Sequence, residues 1–292
     1  MNAKRLAGVS LVAGGPLMLC LFLVFVMLCP RGQANPPAPY NLIYGVVRDA
    51  YGTPLTAANA QLILSCPGKP ALTAGVLPGY APGVNYQIKV PMDSGYTPDP
   101  YRPNALSTGL PFKISVVINN ATNVPIEMSL NYATLGQPAK ATRIDLTLGV
   151  DSNGDGIPDS WERAFLAELG LDLPLSAVNG DSLLSGDGLT LRQQYRYGSY
   201  PFNPSEPCVA TFAGFSGGSP VLRFPVITGR FYSVLASADT KTWVTVPFQM
   251  AGELPSVPSR NYYYAAGISN TEVRVAPPAG AARMQFYRIL VQ

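Results

Sequence analysis

The chain has 292 residues, 47% of them hydrophobic and 13% charged, which is enough apolar material for two or three small domains with cores of their own and too much for a disordered polymer. Its formal charge of +3 reflects Lys4, Arg5 and Arg31 in or beside an apolar N-terminal segment; without them 17 basic residues balance 17 acidic ones, which excludes a nucleic-acid footprint. There is no histidine, so a Ser-His-Asp or Cys-His nucleophile, a histidine-based zinc site and a histidine general base are all excluded.

Lys4 and Arg5 precede an apolar run from Leu6 to Leu28 that is unbroken from Leu17, followed by Gly32-Gln33-Ala34. A basic start, an apolar stretch and small residues at the end predict an export signal cleaved before Asn35. The run is also long enough to stay as an uncleaved anchor over residues 6–28, since about 20 apolar residues span a bilayer. Gly14, Gly15 and Pro16 weaken that helix and favour cleavage. The predicted location is outside the cell or in its envelope, in the periplasm or on the cell surface, with membrane anchoring by the N-terminal segment as the alternative.

Gly 28 and Pro 29 together make 57 residues and helical periodicity is rare, so short strands and turns are predicted for most of the chain beyond residue 34. After a Pro-rich linker over 35–40, the segment 41–148 reads as a β-sandwich domain with strands at Leu42 to Arg48, Ala60 to Ser65, Val84 to Val90, Phe112 to Ile118, Val124 to Leu130 and Thr142 to Leu148. Its loops carry Tyr80, Tyr86, Tyr96 and Tyr101 among prolines, a candidate sugar-stacking face if the rings do not simply cap the core. Asp93 and Asp99 lie in the same loops, where solvated turn acids are expected rather than an acid/base pair. Cys66 and Cys208 are the only cysteines beyond the export segment; they are either a disulfide or two small buried hydrophobes.

The densest chemistry is Asp151-Ser152-Asn153-Gly154-Asp155-Gly156-Ile157-Pro158-Asp159-Ser160-Trp161-Glu162. A twelve-residue calcium loop places oxygens at its first, third, fifth, ninth and twelfth positions, takes a main-chain carbonyl from the seventh and needs glycine at the sixth. Those positions hold Asp151, Asn153, Asp155, Asp159 and Glu162, the Ile157 carbonyl and Gly156, so one Ca²⁺ with these ligands is predicted, four carboxylates being drawn to one point. The preceding segment alternates as a strand does, so no helix enters the loop. A helix leaves it, with Trp161, Phe165 and Leu169 on one face and Gly170 as C-cap. An echo comes next at Ser185-Gly186-Asp187-Gly188, but Leu183 and Gln194 stand where it needs carboxylates, so it is predicted to be empty and to survive through Leu191 and Tyr195 packing on Trp161 and Phe165.

A proline-punctuated linker over 200–207 leads to a second β-sandwich domain at 209–292. Its predicted strands are Val221 to Ile227, Arg230 to Ser237, Thr242 to Phe248, Tyr262 to Ala266, Glu272 to Ala276 and Met284 to Val291, with Trp243 expected in the core.

Three stretches resemble parts of known families. Residues 145–204, through Asp151 to Glu162 and then Asp187, Gly188, Leu189 and Tyr195, resemble the thrombospondin type 3 and EF-hand-like repeats of bacterial exported proteins, which implies calcium in the first loop. Gly45 to Leu55 followed by Gln61 to Leu64 resembles the first hairpin of carboxypeptidase-regulatory-like or transthyretin-like β-sandwiches. Phe231 to Asp239, Trp243 and Phe286 to Ile289 resemble the small C-terminal sandwiches of the same exported proteins. The whole is therefore expected to be mainly β: an N-terminal signal or anchor helix (residues 1–34), two β-sandwich domains and, between them, a short EF-hand-like calcium-loop and helix segment over 149–204. The expected role is a non-enzymatic, calcium-stabilised structural or adhesive protein of the cell envelope, whose partner is an envelope protein or a polysaccharide. The alternative is a secreted polysaccharide- or ligand-binding module using the Tyr-rich loops, and any membrane contact is through the N-terminal segment alone.

Overall fold

The structure, a computed structural model, describes residues 37–292 apart from 57–58, 78, 97–99, 101, 130–131, 199–208 and 277–285. The predicted export segment, Asp99, Tyr101, Cys208 and the linker over 200–207 lie outside the described residues. Ala38–Gln292 forms one compact unit. It is mainly β, with eighteen strands and three short α-helices among the described residues, and none of those helices is long and apolar enough to cross a membrane.

The first ten strands are β1 (Asn41–Gly45), β2 (Val47–Arg48), β3 (Ala60–Ser65), β4 (Leu72–Gly75), β5 (Tyr86–Val90), β6 (Pro111–Ile118), β7 (Ala121–Asn123), β8 (Ala133–Thr134), β9 (Ala141–Arg143) and β10 (Leu146–Thr147). They form a sheet in the order β5-β1-β9, a larger one in the order β4-β3-β6-β7 with β8 on β6, and a β10-β2 pair. Period-two alternation builds the core between them. Ala60, Leu62 and Leu64 of β3 point inward opposite Val116 and Ile114 of β6, and they meet Ile43 of β1 and Tyr86, Ile88 and Val90 of β5 in one buried cluster. Asn85 is buried within it at no cost in unmade bonds: its Oδ1 accepts from Val47 N at 2.7 Å and its Nδ2 donates to the Val47 and Leu55 oxygens. Cys66 is a buried free thiol, which is the small-hydrophobe reading of that residue.

Two expectations about these strands are corrected. Val124 to Ser129, the described part of the strand expected up to Leu130, is not a strand: α1 (Ile126–Ser129) forms there, opened by Pro125, whose oxygen accepts from Met128 N, and it buries Met128. The Asp49 turn does not join β2 to β3: across it Arg48 bridges Pro54 antiparallel and Val47 O accepts from Leu55 N, but β2 pairs with β10 and β3 lies in another sheet. The Asp49 carboxylate closes its own turn by accepting from the Tyr51 and Thr53 amides, while β1 pairs with β5 and β9, and β3 pairs with β4 and β6.

Beyond β10 come α2 (Asp159–Glu168) and α3 (Leu191–Tyr197), then β11 (Thr211–Ser216), β12 (Ser219–Val226), β13 (Phe231–Ser237), β14 (Val244–Val246), β15 (Phe248–Met250), β16 (Tyr263–Tyr264), β17 (Ser269–Val275) and β18 (Phe286–Val291). These strands make a β11-β12-β17-β15 sheet and a β14-β13-β16 sheet with β18 on β13. Leu222, Phe224, Tyr232, Val234, Phe248 and Val273 fill the cluster they share. Trp243 is not part of it. The ring sits half-buried just before β14, donating its indole N–H to Thr240 O at 3.0 Å, with the Arg288 guanidinium 4.3 Å from its centre.

Candidate functional site

The loop from Asp151 to Glu162 joins β10 to α2. Along its first half the odd-numbered residues Asp151, Asn153 and Asp155 turn partly inward and Ser152, Gly154 and Gly156 face solvent, so the ligand positions read from the sequence share one side. The Asp151 carboxylate braces the turn, accepting from the Gly154 and Asp155 amides on Oδ1 and from the Gly156 amide on Oδ2. Gly156 has φ +85°, a conformation that costs a residue with a Cβ about 1 kcal/mol or more. Ile157 then drives the chain inward, its side chain wholly buried against Trp161, Phe165 and Leu191.

Two loop side chains converge on Asn153. Its Nδ2 lies 3.3 Å from Asp155 Oδ2 and 3.3 Å from Glu162 Oε1, and it also faces the main-chain oxygens of Leu175 and Val178. Glu162 is fully buried, and its second oxygen, Oε2, has no hydrogen-bond partner. Burial above all, then the negative charge of Asp155, pushes its carboxyl up to about 7, with smaller contributions from Asp159 and Asp151. Asp155 is raised for the same first reason, and Arg192 pulls the other way. The pocket therefore penalises negative charge as it stands, and a cation is the group that would relieve it.

Asp159 does not join this group. It is buried at the start of α2, where Oδ1 accepts from Ser152 N at 2.7 Å and Oδ2 pairs with Arg163 at 3.3 Å. Four carboxylates are thus not drawn to one point, and among the described residues no three His, Cys, Asp or Glu side chains form a metal-binding group. The donors gathered here are mixed: two carboxylates, an amide and two main-chain carbonyls. All are hard oxygen donors, apart from the amide nitrogen, and hard oxygen is what calcium takes. The donor set and the orphaned Oε2 fit such an ion.

The echo is satisfied from within. Gln194, buried on α3, donates its amide to Asp187 Oδ2 and, at 3.1 Å, to Ser185 Oγ, while Ser185 Oγ lies 2.6 Å from Asp187 Oδ1. A neutral N–H₂ group thus stands beside the carboxylate that would otherwise ask for a cation. Leu183 is exposed, as is Asp181. The helices hold the two turns together as expected. Trp161 stacks on Phe165 at 5.0 Å and meets Tyr195 edge-on at 5.2 Å, and α3 is fixed by a Thr190/Gln193 capping box and closed by Gly198.

Of the tyrosines proposed as a sugar-binding face, Tyr96 and Tyr80 are exposed but Tyr86 is wholly buried, so these rings do not form one surface. Asp93 is half-buried. Sequence reasoning gave no sign of a cleft of about 740 Å³ whose walls include Tyr44, Arg143, Asp145, Phe231, Asn261 and Tyr262. Arg143 pairs with Asp145 at 3.0 Å there and lies 5.7 Å from the Phe231 ring centre. No sequence signal marks it, because its residues come from stretches more than two hundred positions apart, from Tyr44 to Tyr262. No protein-family model matches the chain, and no curated protein matches it either.

Proposed function

We propose that the protein is an exported, calcium-stabilised structural or adhesive component of the cell envelope, without enzymatic activity, in which a calcium loop and its helix pair join two β-sandwiches. The reading is supported above all by Glu162: a carboxylate with no solvent exposure and one oxygen without a partner, facing Asn153 and Asp155. Burying a charge in that way is costly unless a cation compensates it. Asn153, Asp155 and Glu162 are the side chains gathered to hold the ion, with Asp151 bracing the loop beside them and the Ile157 carbonyl at the seventh position. Bound calcium supplies the positive charge that lets Glu162 stay ionised and lets Trp161, one residue before it on α2, stay seated. An envelope or secreted location suits such a site, because weak affinity of about 10⁻⁴–10⁻³ M suffices outside cells.

At about ten times its dissociation constant, calcium is expected to stabilise the fold by about 1.4 kcal/mol, read as a higher melting temperature in millimolar calcium than in EDTA, with magnesium doing less. Glu162→Gln should erase most of that rise. Gln194→Ala should leave the calcium-dependent rise intact even if the variant melts lower in both buffers. Equal melts of the wild type in both buffers, with no heat of binding in calorimetry, would sink the reading.

The cleft favours a second reading, a polysaccharide-binding module. Aromatic rings beside a charged pair and an amide are the mixture that orients a small polar ligand, and the volume is in the usual range of about 300–1,000 Å³ for such sites. Binding on a glycan array that disappears in Tyr262→Ala and persists in Tyr96→Ala would support it, whereas an array with no signal for the wild type would count against it.

A further inference from the structure

The four oxygens around the Asn153 amide belong to two separate stretches of chain. Asp155 Oδ2 and Glu162 Oε1, each at 3.3 Å, come from the loop and α2, whereas Val178 O at 3.3 Å and Leu175 O at 3.4 Å come from the connector between α2 and the second turn. As hydrogen bonds these are poor. An amide nitrogen has two hydrogens to offer four acceptors, and every distance exceeds the usual value of about 2.9–3.0 Å. As neighbours in a coordination shell they are ordinary. Oxygens about 2.3–2.6 Å from a calcium ion and at right angles to one another lie roughly 3.3–3.7 Å apart. The two ends of an Asn amide have nearly the same shape, so rotating Asn153 by half a turn replaces the nitrogen with Oδ1, an oxygen 3.3–3.4 Å from each of the four, and gives up only the 3.4 Å bond that Oδ1 accepts from Asp155 N.

We infer that the main-chain carbonyls of Leu175 and Val178 complete the calcium shell begun by Asn153, Asp155 and Glu162, so that the ion ties the connector to α2. The inference rests on the calcium reading above and adds ligands that the twelve-residue loop does not contain. Their placement follows from packing. Leu175 and Val178 are buried against Leu166 on α2, in a small cluster separate from the one around Trp161, and seating those two side chains brings their carbonyls over the loop. The connector also supplies what the ninth loop position withholds, since Asp159 is engaged by Ser152 and Arg163. Two neutral carbonyls in place of one carboxylate make the shell less negative, which suits a weak, extracellular affinity. Loading and connector order are then one equilibrium: the ion that neutralises Glu162 also pins Leu175 and Val178.

The test uses the intact protein labelled with ¹³C and ¹⁵N. Calorimetry first establishes calcium binding, and gadolinium then replaces calcium while carbonyl and carboxyl ¹³C signals are recorded. The expected result is paramagnetic broadening of the Leu175 and Val178 carbonyls as strong as that of the Asp155 and Glu162 carboxyls. Calcium should also slow amide exchange across Leu171 to Val178 by at least tenfold, and Glu162→Gln should remove the effect. If calcium binds but the two connector carbonyls are broadened far less than the Glu162 carboxyl, the connector is not a ligand and the inference is overturned while the calcium reading stands. If no calcium heat is seen, both fall.

Discussion

Arg230→Ala is expected to cost the fold about 3–5 kcal/mol and to lower its melting temperature by about 10 °C. Arg230 is 4% exposed and makes no salt bridge with a carboxylate among the described residues. Instead its guanidinium serves main-chain oxygens from two distant stretches: Gly52 in the turn after β2, and Arg196 at 2.9 Å and Tyr195 at 3.4 Å in the last turn of α3. Arg196 O is among the carbonyls that a helix leaves unpaired at its C-terminus, where the helix dipole also favours a cation; Tyr195 O accepts from the Gly198 amide as well. Burial, followed by the nearby Arg48 charge, holds the Arg230 group down to about 10, so it stays protonated at neutral pH and the buried charge must be offset by those carbonyls. Truncation leaves the Gly52 and Arg196 carbonyls unserved, each worth about 1–3 kcal/mol before water reaches it, while Tyr195 O keeps the Gly198 amide at 3.1 Å. Arg230→Lys should recover less than half of the loss, because one ammonium cannot match a planar fork aimed at diverging oxygens. Gly52 is part of the same joint, for a Cβ there would overlap the guanidinium. Urea unfolding followed by circular dichroism measures the effect, and a loss under about 1 kcal/mol for the alanine variant would show that water replaces the arginine.

Trp161→Ala should be comparably damaging, at about 3–5 kcal/mol, with up to about 1 kcal/mol more for the lost aromatic pairs. The ring has no solvent exposure, and Ile157, Phe165 and Leu191 close around it. It is the largest side chain in a small cluster that has few others to compensate, and the residue after it is Glu162. Losing the ring should therefore weaken calcium binding by loosening α2, without any ligand being touched. Trp161→Phe, which fills much of the same space, should keep most of the stability. If the alanine variant unfolds at the same urea concentration as the wild type, the cluster around Trp161 is not what seats the helix.

How much of the fold and the site is legible in the sequence depends on where each signal is stored. The strand at Ala60–Ser65 is legible to the residue because one face is buried and the other wet, and burial alternates with sequence. β11 escapes sequence reading for the opposite reason: nearly all of Thr211–Ser216 is exposed, and its two rings, Phe212 and Phe215, stand three apart across an irregularity in the register, so no alternation appears. The one-turn helix at Ile126–Ser129 is too short for a helical period to appear, and Val124, Ile126 and Met128 at every second position look like strand. Trp243 is misplaced because an aromatic residue beside an alternating segment looks like core, whereas its ring packs under an arginine from β18.

By itself, the sequence determined the spacing of the Asp151–Glu162 loop, the glycine at its sharp turn, the amphipathic face of α2 and the glutamine that stands at the end of the echo, since each is written in side chains close together along the chain. Tertiary structure alone decided that Asp159 turns to Ser152 and Arg163, that the Leu175 and Val178 carbonyls face the loop, that Arg230 pins α3 to the Gly52 turn, and that the strands beside the Asp49 turn belong to different sheets. The physical reason is common to all four. Their partners are backbone groups, or residues brought near only by folding, and a main-chain carbonyl or amide is the same at every position, so no residue type announces where it will be used.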